Sequence, residues 1–157
     1  MKLYLVRHGE ATTADVNPRK PLSARGEKQI EAVAGMLKPL GLSPAEVWHS
    51  TKARAAGTAR ILRGCLSGTP DLLERRGLGP NEDTAPVAAD INAFDGDLMV
   101  VGHLPFAARL ASHLLFGTEA APAFLFHTGT TACLDRDAEG RWSLEWMVHP
   151  GMAGADI

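Results

Sequence analysis

The feature that most constrains the fold of this chain is an alternation. Over the first two thirds of the sequence, short apolar runs repeatedly give way to stretches whose apolar residues fall at helical spacing. Lys2 to Val6 is short, apolar and partly β-branched, and predicts a buried strand that stops at the polar, proline-bearing stretch from Glu10 to Pro21. Ser23 offers a helix N-cap; behind it Ile30, Val33, Ala34 and Leu37 keep helical spacing until Pro39 and Gly41, which predicts a helix over Ala24 to Lys38. Ala45 to His49 predicts a second strand. Ser50 or Thr51 would then cap a helix with Ala55, Thr58, Ala59, Leu62 and Leu66 as its inner stripe. Gly68 to Thr84 reads as loop, with at most a short strand near Leu72, and Pro86 to Phe94 as a short helix. Asp97 to Val101 is the clearest buried strand. It runs into Gly102-His103-Leu104-Pro105, where proline suits the first turn of a helix that Phe106, Ala107, Leu110, Ala111 and Leu114 carry to Gly117.

The period changes in the last third. Ala123 to Phe126, Thr130 to Asp135 and Trp142 to Val148 read as strands, with Asp137 to Gly140 as a hairpin turn. Strands separated by helices imply right-handed crossovers and a mainly parallel sheet covered on both faces, here with an antiparallel edge. The expected fold is therefore an α/β three-layer α/β/α sandwich. With 157 residues and a 45% apolar fraction, residues 1–157 are expected to form one domain.

Composition excludes several partner classes. A formal net charge of -2 supplies no long-range field, so neither nucleic acid nor a membrane is expected as partner. The apolar run from Met1 to Val6 meets Arg7 too early for a signal peptide or a span, and the mature chain is expected to start here. Cys65 and Cys133 lie far apart and outside any C-x-x-C, which fits a reduced, cytoplasmic setting. His49, His113, His127 and His149 form no H-x-x-x-H or H-E-x-x-H pair, and the H-x-E of His8 and Glu10 lacks the P-C-x-x-C half of a zinc deaminase. No metal and no cofactor is expected. Trp48, Met99, Trp142 and Trp146 are read as core or sheet-face residues, and Arg25, Arg60, Arg63, Arg75 and Arg76 as surface, with Arg75-Arg76 a candidate docking patch.

The unusual polar residues fall just past the predicted strand ends. Arg7 and His8 follow the first strand, Arg54 lies in the first turn after the second, and His103 follows Asp97 to Val101. In open α/β sheets ligands sit beyond the carboxyl ends of the strands, so this topology brings all four to one rim. Two guanidiniums and two imidazoles beside helix N-termini suit a small multiply charged anion, of which phosphate is the leading candidate. Anion binding alone would be served better by Lys or Arg. A neutral imidazole, however, can attack phosphorus and form a phosphohistidine, while a second, protonated imidazole stabilises the oxygens of the transferring group.

At these residues the chain resembles a family. Arg7-His8-Gly9-Glu10 after the first strand is similar to the signature of the histidine phosphatase superfamily, which includes phosphoglycerate mutases and acid phosphatases. Lys20-Pro21-Leu22-Ser23-Ala24-Arg25-Gly26, the stretch from Ser50 to Thr58, and Val100-Val101-Gly102-His103-Leu104-Pro105 add to the likeness in the expected order. The small size and the Gly-His-Leu-Pro form resemble the SixA-type phosphohistidine phosphatases. That resemblance implies a phosphoglycerate mutase-like fold, with His8 as nucleophile, kept neutral by the cations around it, and Arg7, Arg54 and His103 completing the phosphate pocket. Lys20 stands where the SixA-type proteins have a basic residue, usually Arg, which implies a substrate-side phosphate contact made by a point charge in place of a fork.

A second departure concerns the general acid. Larger members keep a glutamate or aspartate in the loop after the second helix. Here Glu74, Glu82 and Asp83 fall in that loop, but Gly77 of Gly77-Leu78-Gly79-Pro80 occupies the matching place. General acid catalysis contributes about 10²–10⁴-fold where the leaving group is an alkoxide. A departing imidazole needs it less. The expected function is a metal-independent phosphatase acting on protein phosphohistidine. The alternatives are a small-molecule phosphomonoesterase or mutase, marked by a well-placed Glu74 or Glu82, and a non-catalytic phosphate or phosphoprotein binding module.

Overall fold

The computed structural model describes residues 1–120 and 124–157. Six strands form one sheet: β1 (Lys2–Arg7), β2 (Glu46–His49), β3 (Asp71–Glu74), β4 (Leu98–Gly102), β5 (Thr131–Arg136) and β6 (Trp142–Val148). Their order is β3-β2-β4-β1-β5-β6. β1 pairs parallel with β4 on one side and antiparallel with β5 on the other, so the change of direction falls on the strand that carries Arg7. β2 pairs parallel with β3 and β4, and β5 and β6 close the antiparallel edge as a hairpin.

Four helices cover the two faces: α1 (Ala24–Leu37), α2 (Ala53–Arg63), α3 (Thr84–Ala93) and α4 (Phe106–Phe116). Alternate residues of each strand point to opposite sides, which divides the core in two. Leu3, Leu5, Leu98 and Val100 pack with Val87 and Ile91 of α3 and Leu110 of α4. Tyr4, Val6, Met99 and Val101 pack with Ile30 and Val33 of α1 and Ala59 and Leu62 of α2. The three-layer α/β/α sandwich read from the alternation is the observed fold.

Local signals explain the boundaries. Ser23 Oγ accepts from Gly26 N and caps α1, whose last turn tightens into a short 3-10 segment, Lys38–Leu40, before Gly41 turns left-handed. Asp83 caps α3 by accepting from Ala85 N. Asp137 Oδ1 accepts from Glu139 N and Arg141 N and organises the β5–β6 turn. Between β1 and α1 the chain makes a loop that is clamped at its base. Ala11 bridges Leu22 antiparallel, Thr12 N donates to Pro21 O at 2.8 Å, and Ser23 N donates to Glu10 O at 2.9 Å.

Two expectations fail. Phe124 to Phe126 forms no strand, and Ala123 lies outside the described residues. Phe126 is buried in the core, yet its carbonyl accepts from the Arg7 side chain and not from a neighbouring strand, while Leu125 is exposed. Nor is α2 capped by Ser50 or Thr51. Its N-cap is Lys52, with no side-chain bond, and the Ser50 hydroxyl points to His103.

Candidate active site

The backbone of Arg7 and His8 is fixed by the sheet on both sides. His8 N donates to Gly102 O at the end of β4 (3.0 Å), Arg7 N donates to Thr130 O (2.9 Å), and Gly129 N reaches both the Arg7 and His8 carbonyls. The next residue meets α2: Gly9 N donates to Thr58 Oγ1 (3.1 Å), which itself donates to Arg54 O (2.8 Å). A Cβ on Gly9 would lie 2.8 Å from both Gly26 O and Ile30 Cγ1, so only glycine lets the chain pass so close to α1. Glu10 is then tied down completely. Its N–H donates to Gln29 Oε1, and its carboxylate accepts from Ser23 Oγ and Arg25 Nη1.

Within this frame His8 and His103 face each other with ring centroids 4.9 Å apart. His8 Nδ1 lies 2.6 Å from the carbonyl of Gly9. A carbonyl only accepts, so Nδ1 carries the proton and Nε2 keeps its lone pair. Arg54 Nε donates to that lone pair at 3.3 Å. Arg7 anchors through Nη1 to Phe126 O (2.6 Å), and its Nε is buried without a partner among the described residues.

Both imidazoles are held neutral. The His8 pKa is lowered to about 4, chiefly by burial and secondarily by Arg54 and Arg7, against the opposing bond to Gly9 O. The sequence reading credited the cations; desolvation is the larger cause. His103 is lowered to about 3 by burial first, then by His8, Arg54, Lys52 and Arg7. His103 is therefore neutral in the free site, and the expected imidazolium belongs to the loaded one. Its proton must come with, or be drawn in by, an anion that offsets these cations.

Of the five residues expected to form the site, Arg7, His8, Arg54 and His103 come together. Lys20 stands further out, exposed, on the wall of a cleft that it shares with Arg54, Lys52, Arg60 and Glu74. Its left-handed φ of 47° places it at a tight turn whose N–H donates to Asn17 O. Of the acid candidates, Asp83 is occupied as the α3 cap. Glu82 lines a neighbouring cleft with Lys52, and Glu74 lines both. Among the described residues no carboxylate hydrogen-bonds either imidazole. The Arg75-Arg76 pair does not present two free cations. Arg75 lies over the Trp48 ring at 3.9 Å and pairs with Asp90, which leaves Arg76 alone as the exposed member.

Several residues of the site were missed in the sequence. Ser50 Oγ sits 2.5 Å from His103 Nε2, and Gln29 bridges Glu10 N to Asp156 O. Ser50 was visible as a cap signal and as the first residue of a family-like stretch, with no sign of a role toward His103, and Gln29 is a polar position on the buried face of α1, a mismatch that hinted at a buried partner.

The model of the histidine phosphatase superfamily (branch 1) matches residues 3–77, a span that includes Arg7, His8, Lys20 and Arg54. An uncharacterized protein of Picosynechococcus sp. is 33% identical over 124 residues, which cover 74% of this chain and 74% of that protein. The protein histidine phosphatase SixA complexed with tungstate superposes with a TM-score of 0.86 at 25% identity, over 97% of this chain and 99% of that one. A protein of Escherichia coli K-12, provisionally described as an α-ribazole-5′-P phosphatase, shares the fold with a TM-score of 0.77 at 20% identity, over 96% of this chain and 97% of that one. From its sequence and its architecture together, the chain belongs to the histidine phosphatase superfamily and carries the SixA-type fold.

Proposed function

We propose that this chain is a metal-independent phosphohistidine phosphatase whose partner is a phosphohistidine-bearing protein. The observation that carries the reading is the locked tautomer of His8: Nδ1–H held by Gly9 O, with the Nε2 lone pair among Arg54, Arg7 and His103. His8 Nε2 attacks phosphorus in line. The substrate's N–P bond breaks as the P–Nε2 bond forms, and the departing imidazole takes a proton from solvent. Arg7 and Arg54 bind the equatorial oxygens, each charge-assisted contact contributing about 1.5–3 kcal/mol. His103, protonated once the dianion is bound, adds a further donor. Water then attacks phosphorus, the P–Nε2 bond breaks, and inorganic phosphate leaves with His8 restored.

The choice of a nitrogen leaving group is supported by Gly77 in the acid's place, with open space where a side chain would stand, and by Asp83 being used as a helix cap. The tungstate complex of SixA supports an oxyanion pocket in a close structural relative. Two free thiols, Cys65 and Cys133, suit the cytoplasmic setting. No helix of the described residues is long and apolar enough to cross a membrane.

His8→Ala should abolish turnover of a phosphohistidine peptide, and the wild-type protein should take up an acid-labile phosphoryl label on His8. Ordinary turnover in the variant would end this mechanism, and tight phosphate binding without any label would favour a binding module. One observation favours a second reading: Glu74 shares the cleft of Arg54 and Lys20, and a carboxylate there would supply an acid that the Gly77 position lacks. Rates on phosphohistidine peptide and phosphoglycerate, measured side by side in the wild type and in Glu74→Gln, decide between them.

A further inference from the structure

We propose that Ser50 is a positioning residue for this reaction: its hydroxyl occupies Nε2 of His103, so that His103 meets the phosphoryl group through Nδ1. The inference rests on the reading of the site given above. Ser50 and His103 are each only 1% exposed, and Ser50 Oγ lies 2.5 Å from Nε2. Nδ1 of the same ring is buried and has no partner among the described residues. An imidazole nitrogen left that way costs free energy unless something arrives to satisfy it. The ring stands 4.9 Å from His8, so what arrives between them is the group His8 attacks.

The hydroxyl is suited to both protonation states of its partner. Ser50 Oγ receives the Lys52 N–H at 3.3 Å, which leaves it one proton and one lone pair. Toward neutral His103 it donates to Nε2; toward the imidazolium it rotates and accepts from Nε2–H. Neutral His103 thus keeps its proton on Nδ1, facing the phosphoryl group, and gains a second at Nε2 without losing its bond to Ser50. The groups that act on this ring from the elements around it are His8 and Arg7 at the end of β1 and Lys52 and Arg54 at the start of α2. All four oppose its protonation. Ser50 is the group hydrogen-bonded to the ring that tolerates it.

Two measurements test this. In Ser50→Ala the imidazolium loses an acceptor. On a phosphohistidine peptide kcat should fall roughly ten- to a hundredfold, and the basic limb of the kcat profile, which reports His103 in the substrate complex, should move to lower pH by about one unit. Ser50→Thr, which keeps the hydroxyl, should recover most of both. In the wild type, nitrogen NMR of His103 during titration with tungstate should perturb Nδ1 more than Nε2, a readout that needs no variant to fold. A wild-type pH profile in Ser50→Ala, or a response centred on Nε2, overturns the proposal. If His8→Ala is inactive while Ser50→Ala is normal, the proposal alone fails. If His8→Ala turns over normally, the reading of the site fails with it.

Discussion

His8 has two requirements that pull in opposite directions: its Nε2 must be an unprotonated nucleophile, yet it must sit among groups that bind a phosphate dianion. Burial resolves the conflict, because it disfavours the imidazolium more than the Gly9 carbonyl favours it. Followed by NMR in the free protein, the His8 ring should titrate near pH 4 and not near 6.5, and saturating inorganic phosphate should raise the midpoint of His103 from about 3. A His8 midpoint above 6 would contradict the desolvated site. The glycines behind it are as demanding. A Cβ on Gly26 would lie 2.0 Å from Glu10 O, a backbone atom with nowhere to move. Gly26→Ala should destabilise the fold by roughly 1–3 kcal/mol or more in urea unfolding and lower kcat/KM, because the displaced strand of chain is the one that follows His8.

At the scale of elements, the junction strand β1 is the organising piece, hydrogen-bonded in opposite senses on its two sides and delivering Arg7 and His8 at its end. Its neighbours contribute by their termini: β4 ends at Gly102, before His103, and α2 begins with Arg54 in its first turn. Asp83 belongs to this scale. Asp83→Ala should cost about 1 kcal/mol of stability through the lost cap, measured by thermal unfolding, with kcat/KM on phosphohistidine peptide unchanged; a large loss of rate would return Asp83 to the list of acids. Most elements were legible in the sequence because periodicity and caps are local: Ile30, Val33 and Leu37 mark the inner face of α1, and Trp142–Val148 was read to the residue. Phe124 to Phe126 misled because an apolar run says that residues are buried, not what their backbone pairs with. Arg7, His8, Arg54 and His103 were legible through strand-end position and motif. The Ser50–His103 bond, the Gln29 bridge and the dominance of burial over charge were not, since each depends on a partner distant in sequence or on depth below the surface.

For the molecule as a whole, the two suppressed imidazoles set an acid limit. In the unfolded chain both titrate near the ordinary value of about 6.5, while in the folded chain they titrate near 4 and 3. Below about pH 6.5 the unfolded state therefore binds protons that the native state refuses, and stability falls as pH drops toward 4 and below. Melting temperature measured from pH 7 to pH 4 should decline, and a His8→Asn, His103→Asn double variant should decline less. At pH 7 inorganic phosphate should raise the melting temperature, by the equivalent of about 2.7 kcal/mol at a hundred times its Kd.

The clamp at the base of the loop between β1 and α1 has a practical meaning. Ala11 with Leu22 and Thr12 with Pro21 join the two ends of residues 13–20 at their base. In engineering terms those residues are a cassette. Loops of other lengths and sequences spliced in above the clamp, Lys20 exchanged with them, should retune which phosphorylated molecules are admitted while the residues below keep their geometry.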